Sequence, residues 1–163
     1  MKNKKSQSAG RQGFSIVELL IYIGLLAILM VIMTRVFTSI IDVQLSSEAT
    51  GSVEEDGRYI YSRVAYDIDR ASGVVTPANA GDISNSLTLL IDGMANTYTL
   101  VSGNLMLENA LGLNQLNSVG TNVSNLSFQK IANSIQIKFT ISSTTQQING
   151  PDTKNIETTV ALR

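Results

Sequence analysis

Gly13 is followed directly by Phe14, and four residues further on stands Glu18, the single charged side chain between Phe14 and Thr34. The chemistry this spacing permits is that of a cut peptide bond. Hydrolysis after Gly13 would free the α-amino group of Phe14 one helical turn from the Glu18 carboxylate, and the positive N-terminal end of a helix starting there favours the same carboxylate. The amine of the same chain, or that of a neighbouring subunit, can then neutralise it. Without a partner, a carboxylate in hydrocarbon costs about 2.5–3.5 kcal/mol or more. The other reading is that Glu18 snorkels to the headgroups, which its place near one end of the run also allows.

The remaining residues offer little chemistry. The chain has no cysteine and no histidine, so it lacks a thiolate nucleophile, a disulfide, the commonest general base and the commonest transition-metal ligand. Asp67 and Asp69 lie two apart on a helical stretch and point to different sides, which makes them poor partners for acid/base work. The run Glu54-Glu55-Asp56 reads as a solvated face. Asp82, Asp92 and Asp152 fall in loops without the alternating spacing of a dedicated calcium loop. Asn122-Val-Ser and Asn125-Leu-Ser match glycosylation sequons by composition alone and are assigned no role. No catalytic residue, cofactor or metal is expected, and the chain reads as a non-enzyme.

Phe14 to Thr34 is an apolar run of 21 residues, and a helix of that length spans the roughly 30 Å hydrocarbon core. A secretory signal peptide has a shorter apolar region, about 7–15 residues, ending at a small-x-small site. This run instead leaves through Met33-Thr34-Arg35-Val36-Phe37, so it reads as a retained anchor. Lys2, Lys4, Lys5 and Arg11 precede it with no acid among them, which predicts a cytoplasmic N-terminus and an extracytoplasmic remainder.

Beyond the anchor, Arg35 to about Ala71 contains no proline and continues as helix. Ile60, Val64 and Ile68, with Tyr61 and Ala65 on a neighbouring row, form an apolar stripe that predicts packing on a sheet. Glu54 and Arg58 are spaced as a helical ion pair. Gly51 followed by Ser52-Val53-Glu54-Glu55, a capping-box pattern, predicts a kink or restart there. Ser72-Gly73 and Thr76-Pro77 end the helix.

Strands are then expected at Leu87–Ile91, at Thr97–Val101 and Leu105–Glu108 as a hairpin across Ser102-Gly103-Asn104, and at Val123–Lys130, Ser134–Ser142 and Ile156–Leu162. The fold class is therefore α+β, a long N-terminal helix packed on an antiparallel β-sheet head. The expected divisions are a leader at 1–13, a membrane-spanning helix at 14–34, an extracytoplasmic helix at 35–72 and the sheet head at 73–163.

The basic leader, Gly13, Phe14, Glu18 and the run Leu19-Leu20-Ile21-Tyr22-Ile23-Gly24-Leu25-Leu26-Ala27-Ile28-Leu29 together resemble the class III signal of type IV pilins and type II secretion pseudopilins. The resemblance covers about the first fifth of the chain. It implies cleavage between Gly13 and Phe14 by an inner-membrane aspartic prepilin peptidase, and N-methylation of Phe14 by the same partner. It also implies a contact between Glu18 and the N-terminal amine of an adjacent subunit, which sets register in a filament.

Further along, Tyr61-Ser62-Arg63-Val64-Ala65-Tyr66-Asp67-Ile68-Asp69-Arg70-Ala71 and Tyr98-Thr99-Leu100-Val101-Ser102-Gly103-Asn104-Leu105 resemble J-type minor pseudopilins and W-type minor pilins. So does Val123-Ser124-Asn125-Leu126-Ser127-Phe128 with the alternating strand after it. The chain departs from that subgroup at Met106, where an arginine is expected.

The resemblance implies a structural and assembly subunit whose partners are prepilin peptidase, other pilins or pseudopilins, an inner-membrane assembly platform and, before assembly, membrane lipid. Past the leader, eight basic residues face thirteen acidic ones, a balance of −5; broad nucleic-acid binding is not expected. Lys130, Lys138 and Lys154 read as solvated positions. Two other classes stay open on the sequence: a single-pass membrane-anchored binding module or adhesin that does not polymerise, and a membrane-tethered enzyme.

Overall fold

The structure is a computed structural model that describes residues 14–145, 147 and 150–163; the expected leader, with Gly13, lies outside the described residues. The chain divides after Ile41 into two units, each described by itself.

A single helix, α1, spans Ile16–Arg70. No proline interrupts it, and the two prolines of the chain are Pro77 and Pro151. In the first unit every residue of α1 is solvent-exposed. Eighteen large apolar side chains from Phe14 to Phe37 are each more than half exposed, so the sequence has built a helix with no core of its own to bury against.

In the second unit, from Asp42 onward, α1 buries Ala49, Val53, Gly57, Ile60, Val64, Asp67 and Ile68. These positions recur at three- and four-residue steps and form one stripe. The stripe differs from the expected one on its second row. Tyr61 is 39% exposed and Ala65 is half-buried, while Val53 and Gly57 carry the row instead. The expected restart at Gly51 does not occur, since Gly51 and Ser52 are helical. Ser52 does not cap. Its hydroxyl donates back to the Glu48 carbonyl at 2.7 Å, the bond a serine makes inside a continuing helix.

Among its described residues the head contains nine antiparallel strands, β1 (Gly73–Thr76), β2 (Ile83–Ser84), β3 (Leu87–Ile91), β4 (Met94–Val101), β5 (Asn104–Asn109), β6 (Gly112–Gln115), β7 (Thr121–Ile131), β8 (Ser134–Ser143) and β9 (Thr153–Ala161). They form two sheets, in the orders β1-β3-β4-β5-β6 and β2-β7-β8-β9, where one sheet was expected. The α+β class holds. All the expected strands are present, and β1, β2 and β6 are additional.

Alternation explains the packing. Along β8, Ile135, Ile137, Phe139 and Ile141 are buried, while Gln136, Lys138, Thr140 and Ser142 lie on the other face. These residues join Leu87, Leu89, Tyr98, Leu105, Leu107, Val123 and Phe128 with the α1 stripe in one core.

The expected hairpin is present, but its turn is the two residues Ser102 (φ 49°) and Gly103 (φ 82°), the paired positive values of a tight hairpin turn, and Asn104 already belongs to β5, opposite Val101. That turn also links the sheets. The Val123 amide donates to the Gly103 carbonyl at 2.8 Å, and a Cβ on Gly103 would stand 2.6 Å from Asn122 Oδ1.

Candidate processing and assembly site

The first helical hydrogen bond of α1 runs from the Leu19 amide to the Ser15 carbonyl, 3.1 Å. Ser15 is therefore the N-cap residue, Phe14 lies just outside the helix, and Glu18 falls in the first turn. The amides of that turn have no intrahelical partner, so the carboxylate sits at the positive end of the helix. Glu18 is exposed and forms no ion pair among the described residues. Phe14, 76% exposed, lies against Tyr22. Their ring centroids are 6.3 Å apart with planes at 71°, an edge-to-face contact.

The apolar segment is long enough and apolar enough to cross a membrane, with a mean hydropathy of 2.8 over its best 18 residues and none of that window buried. Removing eighteen half-exposed large apolar side chains from water gains about 1 kcal/mol or more each. That sum exceeds the roughly 2.5–3.5 kcal/mol cost of one carboxylate in hydrocarbon several times over. Glu18 therefore does not prevent membrane residence; it asks for a partner.

In the head, the structure brings together two polar groupings that sequence reasoning missed. Asp67, 1% exposed, accepts a bond from the Tyr98 hydroxyl at 2.6 Å and one from Asn96 Nδ2 at 3.4 Å, with Arg63 Nη2 3.5 Å away. Burial first, and then its bond to this carboxylate, push the Tyr98 hydroxyl well above the usual tyrosine range. The signal was present in the sequence, because position 67 falls between Val64 and Ile68 on the apolar stripe. Asp67 and Asp69 do diverge as expected, one buried and the other exposed.

Asp56, expected on a solvated face, instead clamps the β6–β7 connection. Its Oδ2 accepts bonds from the Ser118 amide at 2.8 Å, the Ser118 hydroxyl at 2.7 Å and the Thr121 hydroxyl. Next to it, buried Asn117 accepts from the Leu105 amide at 2.8 Å and donates to the Thr121 carbonyl at 2.8 Å. Glu54 pairs with Lys154 of β9 rather than with Arg58.

The other positions singled out in the sequence stay apart. Asp82 accepts from the amide and side chain of Asn79, and Asp92 pairs with Arg70 at 2.9 Å. Among the described residues no three acidic side chains gather as metal ligands. Lys130 donates to the Ala78 carbonyl and Lys138 pairs with Glu157, so with Lys154 the three lysines are each engaged separately. Asn125 occupies an irregularity in β7 at φ 51°. An open cleft of about 930 Å³ is lined by Ile83, Ser84, Asn85, Ser86, Thr99, Leu100, Asn125 and Leu126; these eight side chains are uncharged and present no general acid or base.

Residues 8–34 match the family model described as the prokaryotic N-terminal methylation motif. No curated protein and no solved structure matches the chain. The motif supports the type IV pilin and pseudopilin superfamily and indicates a pilin-like substrate of a prepilin peptidase. The motif is one that pilin-type structural subunits carry, and with the exposed apolar helix it fits a membrane anchor.

Proposed function

We propose that this protein is a minor pilin or pseudopilin, a structural and assembly subunit of a type IV pilus or type II secretion filament. The observation that carries the reading is the match of residues 8–34 to the methylation motif, and an exposed apolar helix that begins at Ile16, inside that range, supports it.

In this account the leader is cytoplasmic and the head extracytoplasmic. The peptidase adds water across the Gly13–Phe14 bond, leaving a carboxylate on Gly13 and an amine on Phe14, which is then methylated. Gly13 suits an extended backbone at the cut because it carries no side chain. The anchor holds the subunit in the inner membrane until the assembly platform transfers it to a filament. There Glu18 meets the N-terminal amine of an adjacent subunit and fixes axial register. Within the superfamily we place the chain with J-type minor pseudopilins or W-type minor pilins. The α1 end at Tyr61–Ala71 and the β4–β5 hairpin support that placement, and Met106 departs from it.

The test is a Glu18→Leu variant expressed in a host that assembles such filaments. The account predicts normal membrane content and a loss of about tenfold or more from the sheared filament fraction, the scale expected for removing one partner of a desolvated ion pair. Unchanged incorporation contradicts it.

A further inference from the structure

The contact between Phe14 and Tyr22 crosses two turns of helix. A hydrophobic residue just before an N-cap commonly packs on the residue five further along, and this staple fixes the angle at which the chain approaches the helix. For Phe14 that residue is Leu19. The structure instead seats the Phe14 ring edge-to-face with Tyr22, centroids 6.3 Å apart. Ser15 makes the first backbone bond of the helix, so Phe14 is the last residue whose direction this contact can set before the bond to Gly13. Glu18 and Tyr22 are four apart on α1 and therefore neighbours on its surface, which puts the carboxylate beside the same ring. Tyr22 is 55% exposed, and its ring contact is the one with Phe14.

We infer that Tyr22 is a positioning residue for processing: its ring holds Phe14 along the flank of α1 and so sets the orientation in which Phe14 meets the peptidase. This rests on the reading of the chain as a prepilin-peptidase substrate. An extended substrate backbone must leave the helix in one direction to enter a protease cleft, and a ring pair that selects this direction before binding lowers the ordering cost of the encounter. The effect belongs to the precursor and falls on kcat/KM for leader release.

The test uses the full-length chain in detergent micelles with a purified prepilin peptidase, leader release being followed by intact mass at substrate concentrations below and above KM. Four variants are compared with wild type: Tyr22→Leu, Tyr22→Phe, Phe14→Leu and the Phe14→Leu/Tyr22→Leu pair. Tyr22→Leu is expected to lower kcat/KM about two- to tenfold, the range of an aromatic pair contact. Tyr22→Phe, which keeps the ring, should remain within about twofold of wild type. The double variant should be no slower than Phe14→Leu alone, because the contact is already lost.

A Tyr22→Leu rate equal to wild type overturns the inference, as does a Tyr22→Phe rate as low as that of Tyr22→Leu, or independent losses in the double variant. If wild type is cleaved and Tyr22→Leu is unaffected, only the role of Tyr22 falls. If wild type is left intact while a known prepilin is cleaved, the processing reading falls with it.

Discussion

Asp67 shows how one side chain ties the helix to the head. It sits 1% exposed on the apolar stripe, where an unpartnered carboxylate would cost several kcal/mol, and it is held by Tyr98, Asn96 and Arg63. Tyr98→Phe removes the shortest of these bonds and should destabilise the folded chain by about 1.5–3 kcal/mol in urea melts. Adding it to Asp67→Asn should cost less than the two separate losses together.

The pH dependence follows from the raised Tyr98 hydroxyl. A tyrosine whose folded pKa lies above its unfolded value of about 10 contributes fully below that pH and loses its contribution as pH rises further. Absorbance in the tyrosinate band should show a component of the folded chain that ionises above the usual tyrosine range. In Tyr98→Phe that late component should be missing. The sequence reading weighed Asp67 only against Asp69 and left it off the apolar stripe, although its spacing places it there.

At the scale of elements, periodicity was legible wherever one face of a strand is buried and the other wet. The Leu87–Ile91 strand was found at its observed bounds, and β8, whose apolar and polar residues alternate without interruption from Ile135 to Ile141, at one residue short of its end. Strand β6 gave no such signal, since all four of its residues are exposed and nothing in it needs a core. Strand β9 begins three residues before the expected start, on Thr153-Lys154-Asn155, polar residues at an edge of the four-stranded sheet. The capping-box pattern at Ser52 misled because a cap acts only where a helix starts, and no proline or unpaired turn forces a start there.

The hairpin at Ser102-Gly103 was legible from its residues, but its second duty against Asn122 was not. Gly103→Ala would place a Cβ at φ 82° and 2.6 Å from Asn122 Oδ1. It should destabilise the fold by about 1–3 kcal/mol, read as a lower urea midpoint. Asp56→Ala should loosen the β6–β7 connection, costing about 1–3 kcal/mol, with faster amide exchange at Ser118, whose N–H it accepts.

For the whole molecule, the family match lies in the first fifth of the chain, while the buried core belongs to the second unit. The α+β architecture was legible from one long proline-free helix followed by alternating segments. Its division into two sheets was not, because which strands pair is decided by long-range contacts such as Val123 to Gly103. The proposed processing residues are read from order along the chain, a basic leader, Gly13, Phe14 and Glu18, rather than from tertiary placement.

The central claim is that the chain is cut after Gly13 and enters a filament pathway with Phe14 at its new N-terminus. The most direct measurement is intact mass with N-terminal sequencing of the full chain, expressed with and without a prepilin peptidase. The account predicts a product that begins at N-methylated Phe14 only when the peptidase is present. A chain that still begins at Met1, under conditions where a known prepilin is processed, would contradict it.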